Sequence, residues 1–364
     1  MRKERTMNVR DNTGFLYQLL STPSPSGWEE RATEVFKAHI QDYYNRGCIE
    51  DKFHNAYFSA GNGPVKVLLS GHIDEVSAVV TNISDDGMIS IDQQAGIDKK
   101  DILASEVLLV RDDFTTVQGI VIKNPLHIEY QEDTTDKVVK FDGMRVDIGC
   151  ETKDEVIKRG IHPGTPVIYG KTMNINFGKN RMYGVGLDDK IGVFVAEEIF
   201  RKILVFAEDK SWMDKYTVYC LVAAQEESGC RGACVAARAI NPDISIDFDV
   251  TFATDGDMGL NKAKYGDISL GKGAVICYGP EKSVRLNTVL KKGIKWISGE
   301  YQEEASGRAG GTNTNRIQIF SDDCETTLVS IPNRSMHTRV ETCDWRDVQS
   351  AVDMVSEAIT SCSL

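Results

Sequence analysis

Val65-Lys-Val-Leu-Leu-Ser70 followed by Gly71-His-Ile-Asp-Glu75 is the stretch that decides how this chain is read. The first half is a short, nearly unbroken apolar run, which suits a strand buried on both faces. The second half delivers an imidazole and two carboxylates just beyond it. In open α/β sheets ligands gather at the carboxyl ends of strands, so other strands ending in the same chemistry matter. Tyr216-Thr-Val-Tyr-Cys-Leu-Val-Ala-Ala224 is a second apolar run and leads into Gln225-Glu-Glu-Ser-Gly229. Ile244-Ser-Ile-Asp-Phe-Asp-Val250 alternates like a strand and carries Asp249 near its end. Thr327-Leu-Val-Ser-Ile331 is short and apolar, is expected to stop at Pro332, and is followed by His337. Asp188, after Gly184-Val-Gly-Leu, opens a predicted helix with Ile191, Val195, Ile199 and Ile203 on one stripe, and it can reach the same edge. A second helix with Val348, Val352, Val355 and Ile359 closes the chain.

Apolar runs and helical stripes therefore alternate, the pattern of an α/β architecture. Between residues 78 and 170 the texture changes. Short strand-like pieces (Met88–Asp92, Glu106–Val110, Gly119–Ile122, Thr165–Ile168) are separated by charged turns, with one short helical segment at Lys153–Arg159. This reads as a β-rich insertion, residues 78–170, in a catalytic domain built from residues 1–77 and 171–364. A length of 364 residues agrees with two domains.

Composition excludes several classes. With 41% hydrophobic and 26% charged residues the chain is globular in character. A net charge of -12 would repel nucleic acid. No run of apolar residues is long enough for a membrane span, and the basic N-terminus has no apolar run behind it, so the expected location is the cytoplasm. Nine cysteines without a CxxC pair argue against a disulfide framework and against a thiolate metal site. Cys230 and Cys234 lie near the acidic pair and are assigned no direct role.

No single motif is specific. With this acidic content roughly eight acidic neighbour pairs arise by chance, so Glu226-Glu227 or Asp188-Asp189 alone carries little. Of six histidines, His39, His54, His127 and His162 are read as structural. His72 differs because Asp74 follows it closely, and imidazole ligands commonly need a carboxylate to fix their tautomer. Asp74, Asp188, Glu226, Glu227 and Asp249 would gather about five negative charges at one sheet edge, a cluster that needs cations. Two divalent ions fit better than one, and a set of nitrogen and oxygen donors suits zinc, cobalt or manganese.

In this ordered form the chain resembles the TET-type metallo-aminopeptidases, a family that includes glutamyl and deblocking aminopeptidases. The resemblance runs through Thr22-Pro-Ser-Pro-Ser-Gly27 with Glu29, Gly71–Glu75, Asp147–Glu155, Gly160-Ile-His-Pro-Gly164, Leu187–Gly192, Gln225–Ala233, Asp249-Val-Thr251, Gly310-Gly-Thr312 and Ser330–His337. It implies a mixed-sheet α/β/α metallopeptidase domain of the phosphorylase/hydrolase-like kind, with a small β-barrel-like insertion used for dimerisation. It implies two metal ions per subunit: Asp188 bridging, His72 and Asp249 completing one, Glu227 and His337 the other. Glu226 is then the general base and Asp74 the group that orients His72. A cis bond between Asp188 and Asp189, peptide substrates with a free amino terminus, and assembly of dimers into a dodecamer are implied as well. Two departures stand out: Lys190 where the family has arginine, and Asn313 where it has aspartate. Neither is a metal ligand.

Three other readings follow from the same residues. Two carboxylates alone would serve a glycoside hydrolase, since some relatives carry endoglucanase labels, but that chemistry needs neither His72 nor His337. A metal-dependent deacylase or amidase would use the same scaffold. A silent homologue would normally lack a ligand or the base, and all are present.

Overall fold

The computed structural model describes residues 7–125, 127, 140–256 and 259–364. Its strands, in chain order, are β1 (Ile49–Glu50), β2 (Ala56–Ala60), β3 (Val65–His72), β4 (Ser77–Ile83), β5 (Ile89–Gln94), β6 (Glu106–Val110), β7 (Thr116–Val121), β8 (Arg145–Asp147) and β9 (Pro166–Tyr169). They continue with β10 (Met173–Phe177), β11 (Arg181–Gly184), β12 (Tyr216–Ala223), β13 (Ile244–Phe252), β14 (Val275–Tyr278), β15 (Gln302–Ala305), β16 (Glu325–Asn333) and β17 (Glu341–Asp344).

The apolar runs become neighbours in one eight-stranded mixed sheet, ordered β1-β2-β12-β3-β13-β16-β14-β15. Its centre, β12-β3-β13-β16, is parallel throughout, so four carboxyl ends share one edge. A parallel sheet must be covered on both faces. Alternation along the strands divides the cover: Val67, Leu69, Cys220 and Val222 pack with the helices Leu187–Arg201 and Trp345–Glu357, while Leu68 and Leu221 meet Ala233, Ala236 and Ile317 on the other side. The Leu187–Arg201 helix is buried along its whole length. It lies so close to β3 that a Cβ on Gly71 would stand 2.4 Å from the Val193 nitrogen and 2.5 Å from the Gly192 carbonyl carbon.

The expectation that Pro332 ends its strand is corrected: β16 continues to Asn333. β14 pairs with β16 only at Val329 and Ser330, so at Pro332 that side is an edge, where a missing N–H is tolerated.

Strands β4 to β9 close into an antiparallel barrel, ordered β4-β5-β8-β7-β6-β9, around a separate apolar cluster that includes Ile89, Val107, Leu109, Val146 and Val167. Closure leaves no free strand edge. A smaller sheet, β10-β11-β17, pairs Gly184 with Glu341 and so brings the chain after His337 beside the start of the Leu187–Arg201 helix. The mixed α/β fold with a barrel is thus the one the sequence predicts. No helix among the described residues is long and apolar enough to cross a membrane.

Candidate metal centre

The register of the sheet places the donors. Ala223 lies opposite His72, so the loops after β12 and β3 leave the sheet side by side. Asp74, just past β3, accepts the backbone N–H of Glu226 at 2.9 Å and of Glu227 at 3.1 Å. It also stands 3.5 Å from His72 Nδ1, whose nearer neighbour is Asp74's own carbonyl oxygen at 3.2 Å. Asp188 sits between two imidazoles: Oδ1 is 3.2 Å from His72 Nε2 and Oδ2 is 3.2 Å from His337 Nε2. His337 Nε2 also lies 3.4 Å from Glu227 Oε1, and Glu226 Oε2 is 3.8 Å from His72 Nε2. Asp249, on β13, shares its neighbourhood with His72 and Asp189. All seven residues singled out in the sequence therefore converge on one edge. His39, His54 and His162 lie elsewhere, paired with Glu197, Glu50 and Asp112.

Residues beyond these seven support the donors. Glu341 accepts the N–H of Asp188 at 2.9 Å and of His337 at 2.8 Å, holding two candidate ligands by their backbones. Asp189 accepts the N–H of His72 and of Gly192, and joins Asp188 through a cis peptide bond. The Cys230 thiol reaches Glu226 Oε1 at 3.3 Å and the Gly311 carbonyl at 3.2 Å, a contact the sequence reading did not assign. Glu29 accepts the Gln225 N–H at 3.0 Å, and Ser24 donates to the Ile73 carbonyl at 2.7 Å, so the Thr22–Glu29 segment braces both loops. Lys190 is buried, donating to the Thr22 carbonyl at 2.9 Å beside Glu75. Gln225, Cys230 and His337, all near the donors, have φ of 55°, 56° and 65°, a conformation that is rare for non-glycine residues and that clusters at functional sites.

The electrostatics ask for positive charge. Burial, and then neighbouring carboxylates, push Glu227, Asp249 and Asp189 well above the usual carboxylate range. Burial pushes Glu226 up to about 7; Asp74 and Asp188 push the same way, and His72 opposes them. Burial would also raise Asp188, but hydrogen bonds from His337 and His72 outweigh it and hold it below that range. Burial would lower both imidazoles, yet Glu226 and Asp188 raise His72 well above its ordinary value, and Asp188 and Glu227 raise His337 to about 10. Glu227 Oε1 is buried with no hydrogen-bond partner. A buried acceptor in that state is normally paired, so this donor set fits cations. Two donors on one tetrahedral ion are about 3.3–3.4 Å apart, which is close to the 3.2 and 3.4 Å separations around Asp188 and His337. His72, Asp188 and Glu227 form one group whose donor atoms lie within 4.8 Å of each other; His72, Asp189 and Asp249 form a second.

Beside the donors opens a cavity of about 1040 Å³, with Phe252, Tyr265, Leu328 and Met336 on its walls. Comparison with protein families matches residues 55–354 to the M42 glutamyl aminopeptidases. The chain belongs to that family. It is an aminopeptidase, a hydrolase of peptides. Family members are metal-dependent, and the clustered His and Asp residues could hold a metal here. The lysyl aminopeptidase of Pyrococcus furiosus is 28% identical over 342 residues, covering 93% of this chain and 94% of its own. The TET aminopeptidase from the marine sediment archaeon Thaumarchaeota archaeon SCGC AB-539-E09 superposes with a TM-score of 0.89 at 25% identity, covering 98% of both chains. The Pyrococcus horikoshii TET1 peptidase, which can assemble into a tetrahedron or a large octahedral shell, does so with a TM-score of 0.81 at 25% identity, over 96% of this chain and 98% of its own.

Proposed function

We propose that this member of the M42 family removes amino-terminal residues from peptides at a centre of two divalent cations, zinc, cobalt or manganese. Asp188 would be shared by the two, His72 and Asp249 would complete one, and Glu227 and His337 would complete the other. The observation that carries this reading is Asp188, whose two oxygens face different imidazoles at 3.2 Å inside a buried carboxylate cluster. When bound, such cations supply Lewis acidity and a nucleophilic water at neutral pH. Glu226 is the general base: its carboxylate takes the proton of the attacking water and returns it to the leaving amine. Burial raises its pKa above the ordinary carboxylate value while the site holds no cation, and a bound cation would favour the charged form that accepts the proton. Asp74 acts through its neighbours, fixing the Glu226 and Glu227 amides and facing His72. The cavity beside the donors takes the first side chains of the peptide.

Residues 78–170 form an inserted dimerisation domain in this reading. Its separate core and the exposed Ile120 and Ile122 on the barrel surface support that role. Dimers then assemble further, to a dodecamer, in the cytoplasm. The test is a panel of aminoacyl-p-nitroanilides assayed before and after chelation, with zinc, cobalt and manganese added back separately. Activity lost with chelator and regained with metal is the expected result. Activity indifferent to chelator contradicts the proposal.

A further inference from the structure

His337 is a candidate ligand with partners in the barrel. Its Nδ1 faces the Gly96 carbonyl oxygen at 2.9 Å. Gly96 lies between β5 and the short helix Lys99–Ile102. A neutral imidazole that donates from Nδ1 to a carbonyl keeps the lone pair on Nε2, and Nε2 is the atom turned towards Asp188 and Glu227. That is the tautomer a cation at Asp188 and Glu227 requires.

Gly96 is itself held in place. Ala95 turns the chain with φ of 62°, Ile97 is sunk in the barrel core, and Asp98 caps the short helix by accepting the Lys100 N–H at 2.7 Å. Further contacts join the segment to the His337 loop. The Asp98 N–H donates to the His337 carbonyl at 3.3 Å, and Tyr169 Oη lies 3.1 Å from the Asp98 carbonyl and 3.4 Å from that of His337. Asp101 accepts the Arg339 N–H at 2.8 Å and lies 3.2 Å from its guanidinium. Space explains the glycine: a Cβ at position 96 would stand 2.4 Å from His337 Nδ1 and Cε1. Its φ lies outside the left-handed region, so an alanine there would strain the imidazole rather than its own backbone.

We infer that the barrel segment Gly96–Asp101 is a positioning element of the metal centre. It sets the tautomer and place of His337 and, through them, the affinity for the cation shared with Glu227. This rests on the two-cation reading above. By linkage, cation binding must steady the segment as much as the segment favours the cation, so the insertion that the proposal uses for dimerisation also senses the loading of the site.

The test titrates zinc by calorimetry into the chelator-stripped full chain as wild type, Gly96→Ala and Asp101→Ala. Hydrogen exchange of residues 95–102 is recorded with and without zinc. The wild type is expected to bind two zinc ions and to gain protection in that segment. Gly96→Ala should bind one ion as the wild type does and the second about 10- to 100-fold more weakly, without the gain in protection. Asp101→Ala, remote from the donors, should shift the same site in the same direction by less, and it decides alone if Gly96→Ala does not fold. Two unchanged sites in the variants, with exchange indifferent to zinc, overturn the inference while leaving the two-cation reading intact. A wild type that takes up no zinc overturns both.

Discussion

Glu341→Ala removes a carboxylate whose oxygens hold the backbone N–H groups of Asp188 and His337, at 2.9 and 2.8 Å. Glu341 is 2% exposed, so solvent is poorly placed to replace it. A buried donor left without a partner costs about 1–3 kcal/mol, giving about 2–6 kcal/mol for two. The carboxylate is itself unfavourable where it lies: burial, and then Asp188, raise its pKa to about 8. At neutral pH the metal-free protein must largely protonate this group on folding; removing it relieves that cost and offsets part of the penalty, and the net destabilisation there should fall at the lower end, about 2–3 kcal/mol. A bound cation would favour the charged carboxylate, so the loss should grow when zinc is present. Glu341→Gln keeps one acceptor and should lose about half as much. The assay is thermal unfolding of wild type and both variants, stripped and zinc-loaded. The expected order of midpoints is wild type, Glu341→Gln, Glu341→Ala, with wider spacing in zinc. Equal midpoints in both conditions would refute the claim that Glu341 clamps the two ligands.

Glu226→Gln should retain both metals while turnover falls by about 10²–10⁴; unchanged turnover in steady-state kinetics would remove it from the base role. Gly71→Ala should destabilise the protein by about 1–3 kcal/mol, because the added methyl meets the backbone of Gly192 and Val193; an unaltered urea midpoint would show that β3 and the helix can separate freely. Zinc affinity should weaken as pH falls, since His337, raised to about 10, and His72, also raised, must shed protons before binding a cation. The sign is fixed by competition: below their folded pKa values both imidazoles carry protons that zinc must displace. Calorimetry in buffers of different ionisation heat should register proton release, and its absence would contradict the assignment.

The edge of the sheet was legible because His72, Glu226 and Glu227 directly follow apolar runs and Asp249 lies near the end of an alternating strand. Asp188 and His337 were placed by the short connections that precede them. Glu341 was not legible. It reaches the site because β17 pairs with β11, opposite Gly184, and nothing in Thr338–Glu341 marks that pairing. Gly96 was hidden for a similar reason: its partner His337 lies 241 positions away, and its lack of a side chain has meaning only once the imidazole is in place. Cys230 was assigned no direct role, because only the turn in which its N–H donates to the Glu226 carbonyl at 2.8 Å brings the thiol back to that carboxylate. Strand ends were less secure than strands, as Pro332 shows, since only the position of β14 reveals which side of β16 is free.

Native mass spectrometry asks whether Asp188 is shared by two cations. Wild type and Asp188→Ala are stripped, equilibrated at the same free zinc concentration and weighed as intact chains. Two zinc ions are expected per wild-type chain, and Asp188→Ala should lose both. One ion in the wild type, or an Asp188→Ala chain that keeps its full complement, would contradict the sharing.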